Sequence, residues 1–307
     1  MDYRLYKLSF LTGVHFGSGS LDIGKETFSA DTLFSALCIE AGKLSEEKRE
    51  QFIDVVSNGK LLFSDAFPYI GDRLYLPKPI YRSRIDKGIN GLSKSKELKA
   101  ATFISADHIE DYLGGKYPSK EIEMLQYLGK RTLRDAVAIR GHENTQPYRV
   151  DVFVYGEKNG LYLIIASESD REYTLFEDLM DMLSYTGIGG EKSSGLGKFV
   201  FREDSLPKNM EKHLHEGFEK YMLLAGGLPV ESDLERVLDG ATYLLSRRRG
   251  FVDSYNYNEQ FMRKRDLFLL ASGSCVNIRF EGVVADVGSG GKHPVYRYAK
   301  PIFWGLF

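Results

Sequence analysis

Five glycines fall within the eleven residues from Gly187 to Gly197, and no other stretch of the chain restricts its fold so strongly. The segment reads Gly187-Ile188-Gly189-Gly190-Glu191-Lys192-Ser193-Ser194-Gly195-Leu196-Gly197. Glycine tolerates left-handed backbone and lets the chain approach a ligand closely, and free N–H groups in such a loop bind phosphate oxygens. Upstream, Leu175, Leu179, Met182 and Leu183 recur at helical spacing and predict a helix over 174–185; downstream, 198–201 predicts a strand. Helix–loop–strand reverses the order of the nucleotide folds, in which a helix N-terminus faces the phosphates. The spacing fails both motifs as well. Leu196 stands where a P-loop needs lysine, and Lys192 stands where the dinucleotide fingerprint needs its third glycine. A helix C-cap and turn would use one or two glycines, not five. The loop therefore reads as a cradle for phosphate or RNA, with Gly189, Gly190, Lys192, Ser193, Ser194 and Gly195 as contacts.

The rest of the chain alternates strands with helices. Residues 3–11 alternate as a strand and lead into a second glycine-punctuated loop, Gly13-Val14-His15-Phe16-Gly17-Ser18-Gly19. Ser29 or Asp31 caps a helix with Leu33, Phe34, Leu37, Ala41 and Leu44 on its apolar face; a second helix begins at Ser45-Glu46-Glu47 and turns Phe52, Val55 and Val56 inward. Short strands are expected at 61–63 and 73–76, and a helix at 119–128. A hairpin is expected with arms at 150–154 and 161–166 around Gly156-Glu157-Lys158-Asn159-Gly160. Further strands fit 221–225, 242–245, 267–271 and 276–284. This β-α-β order predicts an α+β fold of two ferredoxin-like (RRM-like) domains packed together, residues 1–146 and 147–307, the second carrying the loop 187–197.

Composition narrows the function. Lys and Arg number 41 against 43 Asp and Glu, so nucleic acid must be met by local basic clusters rather than bulk charge. One cluster is a basic insertion around 78–101, which includes Arg82, Arg84 and Lys94; it reads as a loop or hairpin facing RNA or a partner. Arg131, Arg134 and Arg140 form another, spaced so that two can share a helical face. Arg247-Arg248-Arg249 with Phe251 is either a solvated charge run or a backbone-and-base clamp. The two cysteines, Cys38 and Cys275, make neither a disulfide framework nor a zinc site, which suits a reducing cytoplasm. His213 and His215 lack a third metal ligand. The opening MDYRLYKLSF has no apolar signal core, and no apolar run is long enough to span a membrane.

The helix followed by GIGGEKSSGLGKF resembles the glycine-rich loop of the RAMP superfamily, the repeat-associated RNA-binding proteins of CRISPR systems. HFGSG, FSADTLFSAL, FSDAFPY and LPKP near the start, and ATYLLSRRRGFV, KRDLFLLASGS, FEGVVADV and YAKPIFW near the end, resemble one branch of it. That branch is the 5′-handle-binding subunit of the type III-A (Csm) effector complex. The resemblance implies two ferredoxin-like domains, no cofactor and no independent enzyme activity. It implies a subunit that grips the repeat-derived 5′ handle of the guide RNA, between the large polymerase/cyclase-like subunit and the adjacent RAMP backbone subunit. RNA contacts are expected at His15, Phe16, Gly17, Ser18 and Gly19, at the basic clusters, and at the glycine-rich loop.

Two alternatives stand beside it. A RAMP-type metal-independent endoribonuclease would use His15 as acid or base, but only Asp22 lies nearby in sequence as a partner, so His15 is expected to bind or to support structure. Asp31 sits at a helix start and is expected to cap it rather than to cut RNA. The equivalent type III-B subunit is the other alternative.

Overall fold

The computed structural model describes residues 1–17, 19–81, 98–140, 144–215, 217–252, 257 and 262–307; at 119, 138–140 and 144–146 it describes backbone alone. The first elements are β1 (Asp2–Phe10), β2 (Phe16–Gly17), β3 (Gly24–Lys25), α1 (Ala30–Leu44) and α2 (Glu46–Ser57). Next come β4 (Leu61–Phe63), β5 (Phe67–Ile70), β6 (Arg73–Pro77) and β7 (Phe103–Ser105). Two short helices, Ile109–Leu113 and Ser119–Met124, precede β8 (Gly129–Arg140), β9 (Asn144–Tyr155), β10 (Asn159–Ser167), α3 (Asp170–Thr186) and β11 (Phe199–Asp204). Helix Lys208–Leu214, β12 (Tyr221–Leu223), helix Leu234–Leu238, β13 (Leu245–Arg248) and β14 (Leu267–Leu270) follow. The chain closes with β15 (Cys275–Val276), β16 (Val283–Asp286), β17 (Tyr296–Ala299) and β18 (Phe303–Gly305).

The main sheet runs β11-β1-β10-β5-β6-β7, with β4 also paired to β10. Reading β1, α1, β4/β5, β10, α3 and β11 in chain order gives a βαββαβ unit whose first and third strands are central, the ferredoxin-like arrangement. At its centre, on β10, both faces of this sheet are covered. Leu161, Leu163 and Ile165 join a core with α1, α2 and α3, while Tyr162, Ile164 and Ala166 join one with Met210, Leu214, Met222 and Trp304 from the C-terminal part. Successive strand residues point to opposite faces, so an unbroken apolar run fits a strand covered on both sides. The C-terminal part builds its own smaller antiparallel sheet, with β12 between β15 and β18.

Helix caps follow simple chemistry with one substitution of roles. Ser45 closes α1 and caps α2, its hydroxyl accepting Lys48 N–H at 3.1 Å. Ser29 has extended backbone at the start of α1 but makes no side-chain cap; the distant Asp65 accepts Ala30 N–H at 2.8 Å instead. Asp31, expected as a cap, lies inside the helix and serves another purpose described below.

Several expectations are corrected here. The arms 150–154 and 161–166 do not form a hairpin: β9 pairs along its length with β8, and β10 has β1 on one edge and β4 and β5 on the other. A turn signal reports reversal of the chain, not the partner each arm finds. The division at 146/147 falls inside β9, and the first sheet takes strands from both sides of it, so the first βαββαβ unit runs from Asp2 to Asp204 and contains the glycine-rich loop. Arg131 and Arg134 lie on strand β8, where an odd separation puts them on opposite faces, not on one helical face. Leu44 is 56% exposed while Leu33, Phe34, Leu37 and Ala41 are buried. Among the described residues, no helix is long and apolar enough to cross a membrane.

Candidate nucleic-acid interface

The glycine-rich loop leaves α3 and returns as β11, and it closes on itself and on the loop after β1. Ile188 N–H donates to Gly197 O at 3.0 Å and Gly197 N–H to Gly13 O at 2.9 Å. Gly190 N–H donates to His15 O at 2.8 Å. The close approach is why side chains are excluded: a Cβ on Gly197 would stand 2.2 Å from Ile188 O, and one on Gly189 would stand 2.7 Å from His15 O. Both positions also have positive φ, 82° and 103°. Packing thus accounts for part of the glycine content that ligand binding alone was expected to explain. Beyond this neck, Lys192–Ser194 form one 3-10 turn ending at Gly195, with φ 83° and nothing within 4 Å of its ideal Cβ. Lys192, Ser193 and Ser194 are exposed, and the amides of Lys192 and Ser193 have no backbone partner among the described residues.

His15 supports this loop from below. It is 3% exposed, and its Nδ1 lies 2.8 Å from Asp151 O. Phe16 is 4% exposed and packs edge-on against Phe28 and Phe10. The His15 ring is core, which corrects its expected side-chain contact with RNA, whereas Phe16, though buried, is among the residues lining the cleft described below; among the described residues of this loop, Gly17 and Gly19 are exposed. Arg131 is exposed, but its guanidinium is taken up by protein partners. It pairs with Glu26 and with the buried Asp151 and donates to Gly24 O at 2.8 Å, tying β3 to β8 and β9.

A cleft of about 520 Å³ opens where these loops meet the C-terminal part. Its floor is the first turns of α1, with Ser29, Asp31, Thr32 and Ser35; one wall is Ile188, Gly189, Gly190 and Lys192, and the facing wall is Ser246, Arg248, Leu269 and Ser272. Gly17 and Lys25 complete the rim, and Phe16, Phe28 and Tyr298 supply apolar surface. Two carboxylates sit in it. Asp31 binds Arg248 and Arg297, and Asp65, which caps α1, has its pKa pushed up to about 6 by burial. Lys25 and Asp65 were absent from the sequence-based site. Neither belongs to a cluster in sequence, and only folding brings them to the cleft.

The arginine run separates. Arg247 pairs with Asp266, Nε to Oδ2 at 3.0 Å, Arg248 faces the cleft, and Arg249 is exposed. Phe251 is 54% exposed and stacks under the Arg263 guanidinium, 5.4 Å from the ring centre. Arg134 is exposed on β8, away from the cleft lining. Arg140 belongs to β8 by its backbone, and its side chain lies outside the described residues, as do Ser18, Arg82, Arg84 and Lys94. Lys78, at the start of the basic insertion, has its Nζ donating to Leu98 O at 3.0 Å and Lys99 O at 2.7 Å, joining the insertion's two ends. No cluster of metal-ligating side chains occurs among the described residues.

A protein from Streptococcus thermophilus, the CRISPR system Cms protein Csm4, is 35% identical over 316 residues, covering 100% of this chain and 99% of the relative. The protein of the same name from Mycobacterium tuberculosis (strain H37Rv) is also 35% identical, over 309 residues, with 100% and 98% covered. The chain belongs to the Csm4 family. Residues 216–306 match the model of the CRISPR Csm4 C-terminal domain, so the family signature includes β12 through β18 and the wall that carries Arg248. Solved Csm4-type structures share the fold. The crystal structure of a Csm3–Csm4 subcomplex of the type III-A interference complex matches with TM-score 0.70 at 21% identity, covering 99% of both chains. A Csm1–Csm4 cassette in complex with cA4 matches at 0.62 and 19%, covering 100% of this chain and 98% of the other. The expected RAMP-type fold and type III-A family both stand, and the type III-B alternative gives way.

Proposed function

We propose that this Csm4-family chain is a non-catalytic RNA-binding subunit of a cytoplasmic type III-A CRISPR ribonucleoprotein, capturing the repeat-derived 5′ handle of the guide RNA. The observation that carries the reading is the convergence of both glycine loops on one cleft, with Lys25 and Lys192 at its mouth. Gly189 and Gly190, packed on His15, line the cleft with backbone, and the exposed turn 192–194 presents a cation, hydroxyls and amides to phosphates. Single-stranded RNA suits such a site because its bases splay from the backbone and its phosphates are accessible.

Two features support a binding role over cleavage. The His15 ring is buried with one nitrogen hydrogen-bonded, and the Asp31 carboxylate is taken by two guanidiniums, so the obvious acid–base candidates are engaged in structure. The solved relatives include one partnered with Csm3 and one with Csm1. Partners of those two kinds, a RAMP backbone subunit and the large polymerase/cyclase-like subunit, are the proposed neighbours of this chain.

The test is incubation of the purified full chain with labelled repeat RNA over a salt series. Binding without cleavage is expected, and with about five phosphates neutralised log K falls against log salt with a slope near about −3.5. Cleavage of the RNA, or a flat salt titration, would overturn the reading.

A further inference from the structure

The β13–β14 ribbon forms one wall of the cleft and α1 its floor, and a buried charge cluster joins them. Asp31 Oδ2 accepts from Arg248 Nε at 3.1 Å, from Arg248 Nη2 at 2.9 Å and from Arg297 Nη1 at 2.5 Å. Arg248 Nη2 also donates to Ser29 Oγ at 2.7 Å. Asp31 is 4% exposed and Arg297 5%, so neither meets solvent. Asp31 Oδ1 and Arg297 Nε are buried without a hydrogen-bond partner.

The three residues differ in what carries them. Arg297 lies on β17 beside Tyr298, whose ring sits in the first core and whose hydroxyl accepts Phe63 N–H at 2.9 Å. Asp31 and Arg297 therefore belong to one packed body. Arg248 ends β13, which begins at the exposed Leu245, and its side chain ties that strand to the body, while β14 is anchored separately by the backbone pair of Leu270 with Gly227. Buried ion clusters stabilise little relative to apolar packing of the same volume, and their best-attested use is to select one arrangement among several.

We infer that Arg248, with Asp31 and Arg297, is a positioning residue for RNA capture. It holds the ribbon wall at a set distance from the glycine-rich loop and acts on RNA through the shape of the cleft, without touching a phosphate. The inference rests on the RNA reading above and reassigns Arg248 within it. Arg297 is the comparator, because its side chain is out of RNA's reach.

The experiment measures affinity of the full chain for a fluorescent single-stranded RNA bearing the repeat-derived handle, across salt, for wild type, Arg248→Gln, Arg297→Gln and Arg248→Lys. Thermal melting and amide hydrogen exchange over 29–36 and 245–248 accompany it. Both Gln variants are expected to bind about five- to tenfold more weakly, with the wild-type salt slope retained and exchange in both segments faster. Arg248→Lys keeps the charge but loses the fork that grips Asp31 and Ser29, so it is expected to weaken binding too. If Arg248→Gln alone flattens the slope by about 0.7, the guanidinium is a phosphate ligand and the inference falls. Near-wild-type affinity in Arg248→Lys, or lowered melting with unchanged affinity in every variant, would overturn it as well. Should Arg248→Gln not fold, the Arg297→Gln and Arg248→Lys pair carries the same decision. Absence of binding by wild type would remove the RNA reading itself; unchanged exchange in Arg297→Gln would then show that the cluster ties nothing in place.

Discussion

The neck and the tip of the glycine-rich loop are built from the same residue types and answer to different forces. At the neck, a Cβ on Gly189 or Gly197 would stand within 3 Å of the carbonyl oxygen of His15 or Ile188, and His15, Asp151 and Arg131 lie beneath in a hydrogen-bonded stack. At the tip, Gly195 has open space around its missing side chain, and Lys192, Ser193 and Ser194 face solvent. The neck is glycine because backbone fills the volume a Cβ needs. The tip is glycine because its φ is left-handed, which leaves its surroundings free for a ligand. One motif thus contains a closely packed neck and an exposed tip, the part proposed to meet RNA.

The largest effect separating the two is expected from Gly197→Val. A branched side chain against Ile188 O, at positive φ, should cost about 3 kcal/mol or more from strain and overpacking together, measured as a shift in denaturant midpoint; a variant as stable as wild type would mean the neck is not closed in solution. Next comes Arg131→Ala, which strips the buried Asp151 carboxylate of its guanidinium and leaves it the Gly24 N–H. Its loss should destabilise by about 2 kcal/mol, while the salt slope for RNA stays at the wild-type value. A flatter slope would move Arg131 from the support to the binding surface.

Gly195→Ala should cost about 1 kcal/mol through backbone strain alone, since the methyl group meets nothing. Thermal melting checks this, and a loss as large as that of Gly197→Val would erase the distinction between neck and tip. The smallest stability change is expected from Lys192→Ala, within about 0.5 kcal/mol for an exposed side chain. Its salt slope for RNA should nevertheless become shallower by about 0.7, the share of one phosphate on a single strand. An unchanged slope would leave the tip without a charge contact.

The local reading of this chain succeeded where the decisive forces are local. The burial of Leu33, Phe34, Leu37 and Ala41 on α1, the caps around Ser45, and the helix–loop–strand order at Gly187–Gly197 all follow from spacing of side chains along one element. β4 is found at the expected residues, and β6 begins at Arg73 as expected and runs one residue further, to Pro77. The candidate site was legible in outline, because glycine content and Lys192 mark the loop whatever surrounds it. The His15 ring was misread as a contact, since a glycine-flanked histidine looks the same whether its ring points to solvent or into the core.

Sequence alone therefore determined the α+β class, the family, the helices α1, α2 and α3 and the presence of a glycine-rich loop between α3 and β11, but not the short helices Ile109–Leu113, Lys208–Leu214 and Leu234–Leu238. These rest on hydrophobic period, turn chemistry and motif order, all carried within short stretches. Tertiary structure decided which strands pair, where the first unit ends and which arginines are occupied. β10 finds β1, β4 and β5 rather than the adjacent β9, and Arg248 finds Asp31, 217 residues away in the chain. Such choices depend on edges and buried charges that exist only once the chain has packed. A residue type states what a side chain is able to bind, and the fold selects which of those partners comes within hydrogen-bond reach.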